Sequence, residues 1–232
     1  MDISIIIPVY NEEKTIIRIL AGVKGVDLGI EKEIIVVDDD SKDNTFNLLK
    51  QQRGIILIKH EKNKGKGGAM RTGLNVANGD IITFQDADLE YDPNDYKYLI
   101  KILLEEGLDI VYGSRFLGKK FKLIGKEKII LPFHWLGNHV LSLVTSTLFG
   151  QKITDMETGY KMFRKEVIKN LNLRSNRFEI EPEITAKILK RGYKIKEVPI
   201  SYNPRNFSEG KKITIKDGLL ALFYLIKYRF VE

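Results

Sequence analysis

Short runs of β-branched residues alternate with longer segments of helical period through the first half of the chain. Residues 3–9 (ISIIIPV), 33–38 (EIIVVD), 55–58, 81–84 and 110–112 are nearly continuous apolar runs. That is the pattern of strands buried on both faces. Between them the spacing predicts a helix from about Asn11 to Gly25, another from about Asp43, and a third over 66–77. A fourth opens at Asp92-Pro93, a cap followed by a first-turn proline, and ends by Gly107. Strands alternating with helices predict an α/β fold with a Rossmann-like, mostly parallel sheet covered by helices. In such sheets ligands bind beyond the carboxyl ends of the strands.

The second half has a different texture. Residues 119–128 carry Lys119, Lys120, Lys122, Lys126 and Lys128 among apolar neighbours. Residues 131–149 are apolar but interrupted by His134, Asn138, His139, Ser142 and Thr145. A helix is predicted over 179–191, a strand over 195–200 and a closing helix over 214–230, opened by Thr214-x-x-Asp217 in a capping pattern. There is no internal repeat and no linker-like tract. The expected organisation is one domain over 1–212, with 115–150 as a candidate interfacial segment, and a C-terminal amphipathic helix over 213–232.

Composition narrows the chemistry. The 43% hydrophobic content excludes an intrinsically disordered chain. Zero cysteine excludes disulfide scaffolds, cysteine zinc sites, iron–sulfur clusters and thiol catalysis. The net charge of +7 points to an anionic partner: nucleic acid, a phosphate-rich small molecule or an anionic membrane face. No basic leader precedes the first strand, and no run supplies the roughly 18 apolar residues of a transmembrane helix.

Four motifs follow strands and so fall on one sheet edge. Gln85-Asp86-Ala87-Asp88-Leu89-Glu90 sets acids at alternate positions, which in an extended segment point the same way. Asp86, Asp88 and Glu90 then suit a hard cation such as Mg²⁺ or Mn²⁺, or else form an acidic loop that caps the next helix. Asp38-Asp39-Asp40-Ser41 ends the second strand, placed for a ribose or base, or for helix capping. Asn63-Lys64-Gly65-Lys66-Gly67-Gly68 precedes a helix, where glycines let a backbone approach a phosphate, or simply make a turn. Pro8-Val9-Tyr10-Asn11-Glu12-Glu13 ends the first strand, offering Tyr10 for stacking and Glu12 as an acceptor, with Asn11 as an alternative cap.

Together the motifs resemble an inverting family 2 glycosyltransferase of the GT-A fold. The match runs through Ile-Pro-Val-Tyr-Asn-Glu-Glu (7–13), Val-Val-Asp-Asp-Asp-Ser (36–41), the glycine loop (63–73) and Asp86-Ala87-Asp88. Gly113-Ser114-Arg115 and Thr154-Asp155-Met156-Glu157-Thr158-Gly159-Tyr160-Lys161 are similar to its polyprenyl-phosphate branch, the dolichyl-phosphate mannose synthases and related enzymes. The resemblance implies that Pro8, Tyr10, Glu12, Val37 and Asp39 hold the nucleotide of a nucleotide diphosphate sugar, with Lys66 beside them. It implies that Asp86, Ala87 and Asp88 form the metal and diphosphate motif, with Glu90 as a further metal ligand. It places Arg115 on the phosphates, Asp155 near the acceptor, and Arg205 and Lys211 in a loop over the donor. The chain departs from the family in places: Glu90 stands where the mannose synthases carry a glutamine that also reaches the metal, Asp40 stands where the usual turn has glycine, and the basic–serine pair expected to clamp an acceptor phosphate has no clear match around 134–142.

The implied activity is metal-dependent transfer of a hexose to a polyprenyl phosphate by a hexosyltransferase with Mg²⁺ or Mn²⁺, working peripherally on the cytoplasmic face of a membrane. A saccharide hydroxyl acceptor is the alternative; it needs a general base, for which Asp155 is the candidate. A nucleic-acid module predicts basic and aromatic residues interleaved on one face. The lysines and arginines instead cluster at 119–128 and 205–212, beside the expected phosphate site. The histidines at 60, 134 and 139 show no paired ligand spacing and read as structural or interfacial.

Overall fold

A computed structural model of the chain describes residues 1–117, 132–205 and 215–231. The strands are β1 (Asp2–Val9), β2 (Glu31–Asp38), β3 (Ile56–Lys59), β4 (Ile81–Phe84), β5 (Ile110–Ser114), β6 (Lys161–Arg164) and β7 (Lys196–Pro199). They form a seven-stranded sheet in the order β3-β2-β1-β4-β6-β5-β7. β6 runs antiparallel to both β4 and β5, and every other pairing is parallel.

The pleat sorts β1 between two cores. Ile6 faces a layer with Ala69, Met70, Ile184 and Leu225, whereas Ile3, Ile5 and Ile7 face Ile19, Tyr96 and Leu99 on the other side. One layer is thus covered by α3 (Lys66–Val76), α7 (Ile180–Lys190) and α8 (Ile215–Phe230); the other by α1 (Ile16–Gly25), α2 (Thr45–Lys50) and α4 (Tyr96–Glu105). Each fully buried isoleucine contributes on the order of 2 kcal/mol. That double coverage is why β1 reads as an unbroken apolar run.

Several boundaries differ from the sequence reading. α1 starts at Ile16, not Asn11, because Asn11 is spent on a turn. It sits at φ 52°, receives the Lys42 N–H on Oδ1 at 2.7 Å and gives its own N–H to Ser41 Oγ at 2.9 Å. Asp92 does cap, accepting the Asn94 N–H at 2.9 Å, but over a 3₁₀ turn (Pro93–Asp95) that leads into α4. β6 and the short α6 (Lys165–Lys169) were not anticipated. β6 matters for the site. Since it enters the sheet backwards, the loop before it, residues 154–160, lies on the same edge as the loops that follow parallel strands.

α5 (Pro132–Phe149) and α8 pack together beside that edge. α5 buries polar Asn138, Ser142 and Thr145 and exposes Leu136, Val140 and Leu143. α8 buries Ala221, Leu225 and Tyr228 and exposes Leu219, Leu220, Phe223, Ile226 and Phe230. Among the described residues no helix is long and apolar enough to cross a membrane. Thr214, the expected cap of α8, and the lysines at 119–128 lie outside the described residues.

Candidate active site

The carboxyl edge of the sheet opens into one cavity of about 1050 Å³. Pro8, Tyr10 and Glu12 reach it from the end of β1, and Asp39, Asn63, Lys64 and Gly65 from the ends of β2 and β3. Asp39 is buried and fixes the glycine loop. Its Oδ1 accepts the Lys64 N–H at 2.8 Å and lies 2.6 Å from His60 Nδ1, while Oδ2 accepts the Gly65 N–H at 2.7 Å. His60 is braced from its other side by Thr72 Oγ1 at 2.9 Å, a structural role.

The loop glycines serve packing. Gly65 has φ 83° and donates to Asp39, and a Cβ there would strike the Asn176 carbonyl. A Cβ on Gly67 would sit 2.5 Å from the Ser175 carbonyl oxygen. Residues 175–176 therefore lie directly against the loop, and the Gly68 N–H donates to Asn176 O at 3.0 Å.

The acids after β4 form the middle of the cavity. The segment is a turn with Leu89 at φ 62°, not an extended run. Among the described residues no three acidic or histidine side chains gather as a ready-made cation cage. Basic side chains lie among them instead. Lys66 Nζ is 2.8 Å from Asp86 Oδ1 and 3.1 Å from Glu181 Oε1. Arg205 reaches Asp88 Oδ2 at 2.9 Å and Glu12 Oε2 at 3.3 Å, and its backbone N–H donates to Glu90 Oε1 at 2.7 Å. Tyr202 donates to Glu90 Oε2 at 2.9 Å. Burial, then the charges of Asp86 and Glu90, push the Asp88 carboxyl up to about 7, although Arg205 opposes them. Burial alone would discharge Lys66, but Asp86 and Glu181 hold its pKa well above the ordinary lysine value.

Arg115 forms the far wall. Asp155, fully buried, accepts from its Nε and its backbone N–H on Oδ2 at 2.7 and 2.9 Å, and from a terminal guanidinium nitrogen on Oδ1 at 2.7 Å. Glu197 of β7 accepts the Thr154 and Asp155 N–H groups at 2.8 and 2.9 Å. Both Asp155 oxygens are therefore committed to orienting an arginine.

Tyrosines lock these pieces together. Tyr91 and Tyr96 stack on Tyr160 with ring centres 4.7 and 4.8 Å away, and Arg115 lies 5.0 Å from the Tyr202 ring centre. Tyr91 Oη accepts the Gly159 N–H at 3.0 Å, and Gln85 Oε1 accepts from Tyr96 and Tyr160, both at 2.8 Å.

Of the residues singled out from sequence, Pro8, Tyr10, Glu12, Asp39, Lys66, Asp86, Ala87, Asp88, Glu90, Arg115 and Arg205 line this cavity. Asp155 lies beneath Arg115. Val37 is not at the surface of the cavity but fully buried in the core. Lys211 lies outside the described residues. Sequence reasoning missed Tyr91, Tyr202, Asn138, Glu157 and Glu181, which also line it. Two carried a signal: Glu157 stands inside a motif already noted, and Asn138 interrupts an otherwise apolar run. At its far end the cavity is walled by Leu136, Val140, Leu141, Leu219 and Leu222 of α5 and α8.

Comparison with known proteins gives this geometry a context. The model of the family described as glycosyl transferase family 2 matches residues 4–171. A UDP-N-acetylglucosamine–dolichyl-phosphate N-acetylglucosaminyltransferase of Methanococcus voltae is 34% identical, over 97% of this chain and 94% of that protein. A dolichol-phosphate mannosyltransferase of Pyrococcus furiosus is 32% identical, over 98% of this chain and 64% of that one. The crystal structure of glucosyl-3-phosphoglycerate synthase from Mycobacterium tuberculosis, with Mn²⁺, UDP and phosphoglyceric acid, superposes with a TM-score of 0.74. It covers 99% of this chain and 79% of that chain at 19% identity, a likeness of fold.

Proposed function

The chain belongs to glycosyl transferase family 2, and from that premise we propose that it transfers a hexose from a nucleotide diphosphate sugar to a polyprenyl phosphate. One observation carries the reading. A single cavity joins the polar end at β1–β3 to an apolar end between α5 and α8, with acids and arginines between. The names of the Methanococcus and Pyrococcus relatives support a dolichyl-phosphate acceptor.

In this reading Pro8, Tyr10, Glu12 and Asp39 hold the nucleotide, with Val37 supporting Asp39 from within the sheet. Lys66, Asp86, Ala87, Asp88, Arg115 and Arg205 surround the diphosphate, and the family resemblance adds Lys211, which lies outside the described residues. The side chains present are hard oxygen donors of the kind a divalent cation takes: the carboxylates of Asp86, Asp88 and Glu90 on one turn, with that of Asp88 lifted to about 7 by burial and then by its two acidic neighbours. Asp86, Asp88 and Glu90 would hold Mg²⁺ or Mn²⁺, which when bound neutralises charge on the departing diphosphate. Arg205, paired with Asp88 and Glu12, would add a cationic side chain beside the same diphosphate.

The acceptor's phosphate oxygen attacks the anomeric carbon opposite the leaving group. The carbon–oxygen bond to the diphosphate breaks, its electron pair departs with the diphosphate, and the configuration inverts. The attacking oxygen is already anionic at neutral pH, so no proton has to be taken and positioning dominates. Asp155, committed to Arg115, acts as a positioning residue. A hydroxyl acceptor would need a base, and the expected one has no free oxygen for it.

The outward apolar faces of α5 and α8 are the surface on which the enzyme meets lipid. Such a helix lies in the interface plane instead of crossing it. The site of action is the cytoplasmic face of a membrane, reached peripherally.

A donor panel tests the reading: UDP-glucose, UDP-N-acetylglucosamine and GDP-mannose, each with Mg²⁺ or Mn²⁺ and a short polyprenyl phosphate. The expected result is one lipid-linked sugar phosphate, formed only with a divalent ion. Transfer only to water or to a soluble sugar, indifferent to the polyprenyl phosphate, overturns it.

A further inference from the structure

Three residues lining the cavity keep a buried polar side-chain atom without a hydrogen bond among the described residues; one, Arg205 Nε, still lies 4.0 Å from Glu90 Oε1, and the other two are Asn138 and Glu157. Asn138, on the inner face of α5, is 6% exposed, and its amide Nδ2 donates to nothing. Glu157, in the loop before β6, has its Oε1 sealed from solvent with no donor in reach. The two are neighbours, since the Glu157 N–H donates to Asn138 Oδ1 at 3.3 Å. The two residues thus carry one orphan donor and one orphan acceptor, and leaving each unpaired costs about 1–3 kcal/mol.

Their location says what could satisfy them. The same short loop carries Asp155, which holds Arg115, and Gly159, where a Cβ would come within 2.5 Å of Asp86 Oδ2. On one side of the pair are the groups assigned to the donor diphosphate. On the other are Leu136, Val140 and Leu141. A carboxylate repels a phosphate, and a prenyl chain offers it no hydrogen bond. What must lie between departing diphosphate and incoming acceptor is the transferred sugar, whose hydroxyls both donate and accept.

We propose that Asn138 and Glu157 are the specificity pair that reads the hydroxyl pattern of the transferred sugar. This rests on the function proposed above and deepens it. Burial, opposed mainly by Lys161, lifts the Glu157 carboxyl to about 7. Held near neutrality, it can serve a hydroxyl either as acceptor or as donor.

Glu157→Gln and Asn138→Ala test the pair against the three-donor panel, with calorimetric affinities for free UDP and GDP measured beside kcat/KM. For each variant, kcat/KM for the donor preferred by the wild type should fall on the order of 10- to 100-fold, because a site built to bond a hydroxyl discriminates strongly. The other donors should fall less, so that the ranking flattens, and affinity for the free nucleotide should stay within about 2-fold. An equal fall for all donors, or loss of free-nucleotide binding, marks a merely structural role and overturns the pair. Failure of the wild type to use any donor overturns the wider reading, and the pair with it. A wild type that transfers sugar while both variants keep its ranking overturns the pair alone.

Discussion

Asp40 occupies the left-handed region at φ 64°, a conformation that glycine adopts freely and other residues enter at a cost of about 1–2 kcal/mol. Its carboxylate is 2.7 Å from Lys42 Nζ, an exposed pair of small value. Asp40→Gly should therefore be more stable than Asp40→Ala by about 1 kcal/mol in urea unfolding. Asp155→Asn leaves a buried guanidinium without its counter-charge, which costs about 3–5 kcal/mol. Thermal melts should show that loss, and turnover should fall without any new pH dependence, since no proton transfer is removed. Asp88→Ala should abolish turnover, and near-wild-type rates at saturating Mn²⁺ would remove Asp88 from the metal site. Glu157 gives a pH signature. A carboxyl whose pKa is raised in the fold binds its proton more tightly folded than unfolded, so its contribution falls as pH rises from the ordinary carboxylate range through about 7. The melting temperature of wild type minus that of Glu157→Gln should thus decrease between pH 5 and pH 8; a constant difference would refute the assignment. Asp86 and Asp88 were legible because a local string at a strand end carries them. The roles of Asn138, Tyr91 and Tyr202 were not, because they arise only when distant segments meet.

Elements show the same division. β1, β2 and β4 could be read from composition, since burial on both faces leaves an unbroken apolar run. β6 could not. Lys-Met-Phe-Arg is four residues with charged ends, and its strand character comes from β4 and β5 on either side. Lys161 is fully buried there, bonded to the Thr158 carbonyl at 2.6 Å and paired with Glu181. The glycine loop was legible as a loop but not in its purpose, which is to let residues 175–176 lie against it. Gly67→Ala should cost more than about 1 kcal/mol, because its Cβ meets backbone that cannot step aside. It should also weaken nucleotide binding by shifting the loop that Asp39 holds; a variant as stable as wild type would show that the contact gives way easily. α5 turns polar Asn138, Ser142 and Thr145 inward beside Leu141 and leaves Leu136, Val140 and Leu143 exposed, and a count of its apolar positions alone does not reveal which way they face.

At the scale of the molecule, α5 and α8 pack together, both expose apolar residues, and some of those also wall the cavity. Leu143→Glu and Phe223→Glu alter residues 67% and 58% exposed, so the fold should survive and free-nucleotide affinity should hold. Flotation with anionic vesicles should show binding by wild type and its loss in the double variant. Equal flotation of both would place the lipid contact elsewhere. The backward insertion of β6 has a consequence in time. Strands β3-β2-β1-β4 are contiguous in the sheet and complete once residue 84 has emerged. β5 cannot join them until β6, about fifty residues further along, has slid between. Pulsed hydrogen exchange should find amides of β1, β2 and β4 protected before those of β5 and β7. A growing chain then completes first the strands that carry Pro8, Asp39 and Asp86 at their ends, and only later sets Arg115 and the loop before β6 beside them.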